Sequence, residues 1–145
     1  MLVNEVMTEA VVTASPGDTV QSVAGLMRER GVGSVVLVDD RGAPVGFITD
    51  RDITLSVVAA GRPATDRASE HASSPVIRAE PDMDVEEAGQ RMLRHGVRRL
   101  VVVSGGSVAG LLSLDDLATR GLEPELSARV TRAALPEYFF HARGG

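Results

Sequence analysis

The chain has 145 residues, 43% of them hydrophobic, and carries 15 Lys and Arg against 20 Asp and Glu, for a net charge of −5. No cysteine is present, which excludes disulfides, thiolate metal sites and a cysteine nucleophile and fits a reducing, intracellular compartment. The negative balance works against nucleic-acid binding, and no window approaches the roughly 18 apolar residues of a membrane helix, so the expectation is a cytoplasmic protein off the membrane.

The N-terminal MLVNEVMTEA carries acids and no basic flank, which argues against a secretory signal. A short β-rich stretch at Val11 to Thr13 leads through Pro16 to Thr19, a residue suited to a helix N-cap. Val20, Val23, Ala24 and Met27 then follow the i, i+3, i+4, i+7 spacing of a helix with one buried face, and Gly31 marks its end. SVVLV (34 to 38) is an unbroken β-branched run, as in a strand covered on both sides. DDRGAP turns the chain into a second strand, VGFIT (45 to 49), and the acid-rich segment after it predicts another helix. GRPATDRASEHASSP (61 to 75) is polar and reads as a linker plus the entry to a second unit.

That second unit repeats the first. Pro16 matches Pro81, Val20 matches Val85, Met27 matches Met92, Gly31 matches Gly96 and Val38 matches Val103, each 65 residues apart. Past a turn that is one residue longer in the first copy, Gly46 matches Gly110 and Asp52 matches Asp116, 64 apart. The second copy begins with Val76 to Arg78 and has an N-cap at Asp84, with Glu87 at capping-box spacing. Its helix buries Val85, Ala88, Gly89 and Met92, and its strands are RLVVV (99 to 103) and VAGLLS (108 to 113). Each copy therefore reads strand, helix, strand, strand, helix. Neither copy is long enough to hold a comfortable core alone, so the two are expected to pack about a pseudo-twofold axis.

GFITDRD (46 to 52) and GLLSLDD (110 to 116) occupy the same point of both copies. A hydroxyl with an acid three residues on is a helix capping box, which needs no ligand. The same pair offers a hydroxyl and an acceptor-only carboxylate that can take both hydroxyls of a cis-diol, beside a helix N-terminus whose free N–H groups favour phosphate. Spacing leaves both readings open. RMLRHGVRR (91 to 99) gathers Arg91, Arg94, His95, Arg98 and Arg99. Arg94 and His95 suit the negative end of the helix dipole, whereas Arg98 and Arg99 lie beyond the helix.

Taken together, MTEAVVTASPGDTV, GVGSVVLVDDRGAPVGFITDRD and HGVRRLVVVSGGSVAGLLSLDD make the chain resemble a tandem pair of cystathionine-β-synthase (CBS) domains, the unit also called a Bateman module. The resemblance covers roughly residues 1 to 122 and implies an α+β fold, with a first CBS copy over 1–62, a linker over 63–68, a second copy over 69–122 and an extension over 123–145. It implies two clefts able to hold AMP, ADP, ATP or S-adenosylmethionine. It further implies ligand-binding roles for Thr49 and Asp52 in the first copy and for Ser113 and Asp116 in the second. Arg98 and Arg99 resemble the basic residues that reach phosphates in nucleotide-sensing members, and Arg has the fixed fork of donors for it. Thr13 is placed near the base or ribose, and Arg78 stands at the matching position of the second copy.

No G-x-S-x-G, G-x-x-x-x-G-K-S/T or G-x-G-x-x-G motif occurs, and GAPVG and SGGSVAG fall between paired strands as hairpin turns. His71, His95 and His141 have neither Cys companions nor H-x-x-x-H spacing, so neither an enzyme nor a metal site is expected. The expectation is a stand-alone regulatory and energy-sensing module, a homodimer by resemblance, acting on a regulated protein in trans or on its own assembly. The rival expectation is a ligand-free structural or protein-interaction dimerisation module. Beyond the resemblance, Pro124 suits a helix N1 position, with Leu126 and Val130 four apart and Pro136 as the stop. Tyr138, Phe139 and Phe140 come next as a self-packing or docking tail.

Overall fold

The computed structural model describes residues 1–120 and 124–134; the aromatic tail around Tyr138, Phe139 and Phe140 lies outside them. After a 3₁₀ turn at Val3–Glu5 come β1 (Thr13–Ala14), α1 (Val20–Arg30), β2 (Ser34–Val38), β3 (Pro44–Thr49) and α2 (Asp50–Ile53), which runs on into a π turn at Thr54–Val58. A 3₁₀ turn at Ala68–Glu70 precedes β4 (Arg78–Ala79), α3 (Val85–His95), β5 (Arg99–Ser104), β6 (Ser107–Ser113), α4 (Leu114–Arg120) and α5 (Pro124–Ala134). This is the α+β architecture of two β-α-β-β-α repeats.

The caps form as the sequence predicts, with one exception. Thr19 Oγ1 accepts from Ser22 N at 3.1 Å, and α1 and α3 end at Gly31 and Gly96, both left-handed with φ of 65° and 62°. Only glycine adopts that conformation without a Cβ penalty. At α3 the expected Asp84–Glu87 box does not close. Asp84 accepts from Glu86 N at 2.9 Å, and Glu87 instead reaches Arg91 one turn on, 3.7 Å away.

Each repeat builds a three-stranded sheet, β1-β2-β3 and β4-β5-β6. β1 runs parallel to β2 with Thr13 opposite Val36, and β4 runs parallel to β5 with Arg78 opposite Val101. The outer strands begin two residues later than the sequence suggests, although Val12 O and Ile77 O still accept from Val36 N and Val101 N at 3.0 Å. β2 and β3 form the expected antiparallel hairpin, with Ser34 opposite Thr49 and a bulge after Leu37. The β5–β6 turn is only Gly105–Gly106, with φ of 60° and 83°, the two positive angles of a type I′ turn. Val35, Val36 and Leu37 are buried, as are Leu100, Val101 and Val102, so both apolar runs are covered on both faces.

The chain groups into two compact units that do not follow its linear order. One consists of Ala10–Val76 with Val103–Ala109; the other of Met1–Glu9, Ile77–Val102 and the described chain from Gly110 onward. The leaders of the repeats are exchanged. Thr8 pairs with Leu111 on β6 through two reciprocal hydrogen bonds of 2.9 Å. Ser73, 65 residues after Thr8, pairs with Phe47 on β3 at 2.8 and 3.1 Å. Hence the first repeat's leader completes the second repeat's sheet, and the second's completes the first's. This accounts for the glycine that opens each repeated motif. A Cβ on Gly110 would stand 2.6 Å from Met7 Sδ and 2.9 Å from Thr8 O, and one on Gly46 would stand 3.3 Å from the Ala72 and Leu37 side chains.

The core of the first unit is Val23, Met27, Val35, Leu37, Ile48 and Ala68, with Val12, Leu26, Val32, Ile53 and Ala72 packed against it. In the second unit Met92, Leu100, Leu112, Leu117 and Val130 are fully buried. α5 begins at Pro124, as the sequence predicts, and buries Leu126 and Val130 against α3 and α4.

Candidate functional site

Both repeated motifs sit where a strand becomes a helix. β3 ends at Thr49, whose Oγ1 accepts from Asp52 N at 3.1 Å, while Asp52 Oδ2 accepts from Thr49 N at 2.9 Å. β6 ends at Ser113, whose Oγ accepts from Asp116 N at 3.2 Å. Asp116 Oδ2 accepts from Ser113 N at 3.0 Å and from the Ser113 hydroxyl at 2.9 Å. The capping boxes are therefore closed in both copies. In each carboxylate Oδ2 does the capping, and no hydrogen bond among the described residues engages Oδ1. Asp52 and Asp116 are both half-buried.

In the second repeat, Arg98, Arg99, Ser113, Leu114 and Asp115 line one cavity of about 230 Å³. Leu114 N donates to Arg98 O at 2.8 Å, which fixes the start of α4 against the start of β5 and brings the arginine pair to the motif hydroxyl. Arg98 Nη2 lies 3.8 Å from Asp115 Oδ1, an exposed pair that leaves the guanidinium free to turn elsewhere. Arg99 is two residues before Val101 and shares its face of β5, and Arg78 stands opposite Val101, so Arg78 and Arg99 lie on one face. In the first repeat the same positions are Ser34 and Thr13, the latter exposed on β1 opposite Val36. The geometry thus gathers Arg98, Arg99 and Ser113, whereas the first copy has Gly33 and Ser34 in place of the two arginines and Arg51 in place of Asp115. Arg91 is tied down elsewhere, donating to Arg78 O at 2.7 Å and lying 3.3 Å from Glu80.

The linker holds a cluster that sequence reasoning did not anticipate. Arg62 clamps Asp66, with Nε to Oδ2 at 2.9 Å and Nη2 to Oδ1 at 3.1 Å. His71 bridges Asp66 Oδ2 through Nε2 at 3.0 Å and Ser56 Oγ through Nδ1 at 2.9 Å. Ser56 Oγ in turn donates to Asp52 O at 2.6 Å. A continuous polar chain therefore ties the linker to the segment that carries Asp52. Donor atoms of Asp66, Glu70 and His71 come within 4.8 Å of one another, but the Arg62 guanidinium already satisfies both Asp66 oxygens, which makes this an ion-pair network. The only legible signals were the four-residue Arg62–Asp66 spacing and a histidine in the linker.

The Arg62 hydrogen bond, seconded by His71, holds the Asp66 carboxyl below its ordinary value against a smaller opposing effect of desolvation, and the same pairing raises Arg62. A depressed folded-state pKa stabilises above the unfolded carboxylate value and is lost as pH falls through the folded one. Thermal unfolding is therefore expected to lose midpoint below about pH 4 more steeply for the native chain than for Asp66→Asn, with the two profiles parallel at higher pH. Parallel profiles throughout would mean that the cluster contributes nothing.

No described helix is long and apolar enough to cross a membrane. The family model described as the CBS domain matches residues 3–59 and again 68–123. Among curated proteins, the chain is 40% identical over 130 residues to the uncharacterized protein MK0525 of Methanopyrus kandleri, covering 88% of this chain and 65% of that one. It is 37% identical over 123 residues to the CBS domain-containing protein YhcV of Bacillus subtilis, covering 85% and 87%. Among solved structures, the CBS domain protein PAE2072 of Pyrobaculum aerophilum, complexed with AMP, superposes with a TM-score of 0.74 at 28% identity over 91% of this chain and 99% of that one. The repeat at constant offset, the two three-stranded sheets and these matches agree: the chain belongs to the CBS domain family and carries two copies of the domain.

Proposed function

We propose that the chain is a regulatory CBS pair that binds an adenosine-containing ligand, with AMP, ADP or ATP preferred over S-adenosylmethionine, and passes its presence to a protein partner or to its own homodimer. The observation that carries this reading is in the second repeat, where Arg98, Arg99 and Ser113 line one cavity, and Ser113 is bonded in turn to the Asp116 carboxylate. The volume, about 230 Å³, is below the roughly 300–1,000 Å³ of pockets that enclose a whole small ligand, and suits a phosphoryl group better than a complete nucleotide. Asp116 Oδ1 is the acceptor for ribose hydroxyls, the arginines are the phosphate donors, and Asp52 with Thr49 and Thr13 form a second, weaker site without the arginine pair. The AMP complex of the P. aerophilum relative supports the ligand class.

For such a module to regulate, the ligand must bind two conformational or assembly states with different affinity. Arg99→Ala is expected to weaken AMP or ATP by about 1.5–3 kcal/mol, roughly tenfold or more, and adenosine far less, since only the phosphates meet the guanidinium. Calorimetric titration of the native chain and the variant with AMP, ATP and adenosine reads this directly. Equal losses for nucleotide and nucleoside would contradict it. A second reading is favoured by the closure of both capping boxes without any ligand: a structural dimerisation module in which Asp52 and Asp116 only cap helices.

A further inference from the structure

The residue four places after the motif acid meets the exchanged leader in both copies, but by different chemistry. In the second repeat it is Arg120, exposed, whose Nη1 donates to Glu5 O at 3.4 Å, and the next leader residue, Val6, is apolar and buried. In the first repeat the matching residues, 64 and 65 places away, are Ser56 and His71, and their side chains meet at 2.9 Å. The helix changes at the same place. α4 is α-helical from Leu114 to Arg120, whereas α2 gives way after Ile53 to the π turn at Thr54–Val58 that carries Ser56. Such single π turns occur frequently at functional sites.

A count of protons fixes the state of the Ser56–His71 contact. Arg62 clamps Asp66 as a carboxylate, which only accepts, so His71 Nε2, 3.0 Å from Oδ2, carries a proton. Asp52 O also only accepts and lies 2.6 Å from Ser56 Oγ, so the one hydroxyl proton of Ser56 is spent there. His71 Nδ1, facing the same hydroxyl oxygen, then needs a proton of its own. Only an imidazolium satisfies all three contacts together. A neutral ring that keeps its proton on Nε2 turns a bare Nδ1 toward Ser56 and draws the hydroxyl proton away from Asp52 O. The ring and Asp66 are 9% and 10% exposed, so water does not readily stand in. Glu70 is the further charged group of the cluster, within 4.8 Å of the Asp66 and His71 donor atoms and accepting from Arg67 N, while the π turn, TLSVV, brings no titratable side chain. Two carboxylates against one guanidinium leave the cluster one positive charge short, and the imidazolium supplies it.

We infer that His71, as the imidazolium, is a positioning residue for the first repeat's motif: it holds the Ser56 hydroxyl on the carbonyl of Asp52, and loss of its proton releases that link. The second repeat has Arg120 and Val6 at these places, neither of which changes charge near neutral pH, so the two copies answer differently to pH. That His71 serves ligand binding rests on the first-repeat site proposed above; the proton-dependent link itself does not.

The test is a nuclear magnetic resonance titration of the full chain between about pH 5 and 8, the range in which an imidazole changes charge, following the histidine ring nitrogens and the backbone amides of residues 52–57. These amides are expected to move with the midpoint of His71 and not with that of His95, which stands exposed at the end of α3. In Ser56→Ala, His71 is expected to titrate without them; Ser56→Thr, which keeps the hydroxyl, is expected to restore the step. Adenosine, which has no phosphate to titrate, is then added, with the Thr49 and Ser113 amides reporting the two sites separately. Its affinity at Thr49 is expected to fall roughly twofold to tenfold as pH rises, the equivalent of one hydrogen bond, and to stay level in Ser56→Ala. Amides that ignore His71, or that follow it equally in Ser56→Ala, overturn the inference. An adenosine affinity at Thr49 without pH dependence overturns the positioning role, whereas adenosine that never perturbs Thr49 overturns the first-repeat site and leaves the proton-dependent link standing.

Discussion

Gly110→Ala is expected to lower the stability of the chain by about 1–3 kcal/mol, through overpacking at a point that cannot relax by a side-chain rotation alone. The new methyl would meet Met7 Sδ at 2.6 Å and the Thr8 carbonyl oxygen at 2.9 Å, and the latter is backbone that accepts from Leu111 N. Moving Thr8 away breaks the two hydrogen bonds that hold the leader on β6. Gly46→Ala is the internal control. Its methyl would meet only the Ala72 and Leu37 side chains at 3.3 Å, which can yield by a few tenths of an ångström. Denaturant unfolding of both variants is expected to show the larger loss at Gly110. Equal small losses would mean that the leader does not pack as described.

Asp116→Ala is the second large effect, because one substitution removes two functions. Half of the capping box goes first: Ser113 N and the Ser113 hydroxyl lose their shared acceptor, at a cost of about 0.5–1.5 kcal/mol without any ligand, while Ser113 Oγ still accepts from the backbone N–H of residue 116. The ribose acceptor goes with it. At a nucleotide concentration of 100 times the dissociation constant, a bound ligand stabilises by about 2.7 kcal/mol, and that increment is expected to vanish in the variant. Asp52→Ala is expected to lose less of its cap, since the Asp52 carboxylate accepts only from Thr49 N whereas the Asp116 carboxylate accepts from both Ser113 N and the Ser113 hydroxyl. It is expected to lose less of the ligand increment, because no arginine pair stands beside Thr49. Unfolding curves with and without ligand separate the two costs.

Much of this was legible because it is local. The i, i+3, i+4, i+7 spacing, the left-handed glycines at 31 and 96, the hairpins and the capping boxes at Thr49 and Ser113 all depend on residues close together in the chain. Pro124 with Leu126 and Val130 was enough to foresee α5, although not the face it covers. The exchange of leaders was not legible, because MTEA and ASSP precede units of the same pattern and pattern alone does not say which sheet edge a segment joins. The Asp84–Glu87 box was over-read, since Glu87 had a rival one turn away in Arg91. The linker cluster was missed because Arg62, Asp66 and His71 lie in a stretch without period, where only the folded path brings a histidine to Ser56. Arg98 and Arg99 were placed by resemblance, and the geometry adds that Leu114 N anchors them beside Ser113.

The most direct test of the central claim is thermal unfolding of the native chain and of Asp116→Asn against AMP, ADP, ATP, S-adenosylmethionine and inorganic phosphate. The asparagine can keep the cap, because its single carbonyl oxygen can accept from Ser113 N, but it presents an NH₂ donor where the carboxylate had its free acceptor. The account predicts equal unfolding midpoints without ligand, a rise in the native midpoint with at least one adenine nucleotide and none with phosphate alone, and loss of that rise in Asp116→Asn. A native midpoint that no ligand moves, or a nucleotide shift that Asp116→Asn retains in full, would contradict it and leave both repeated motifs as helix caps.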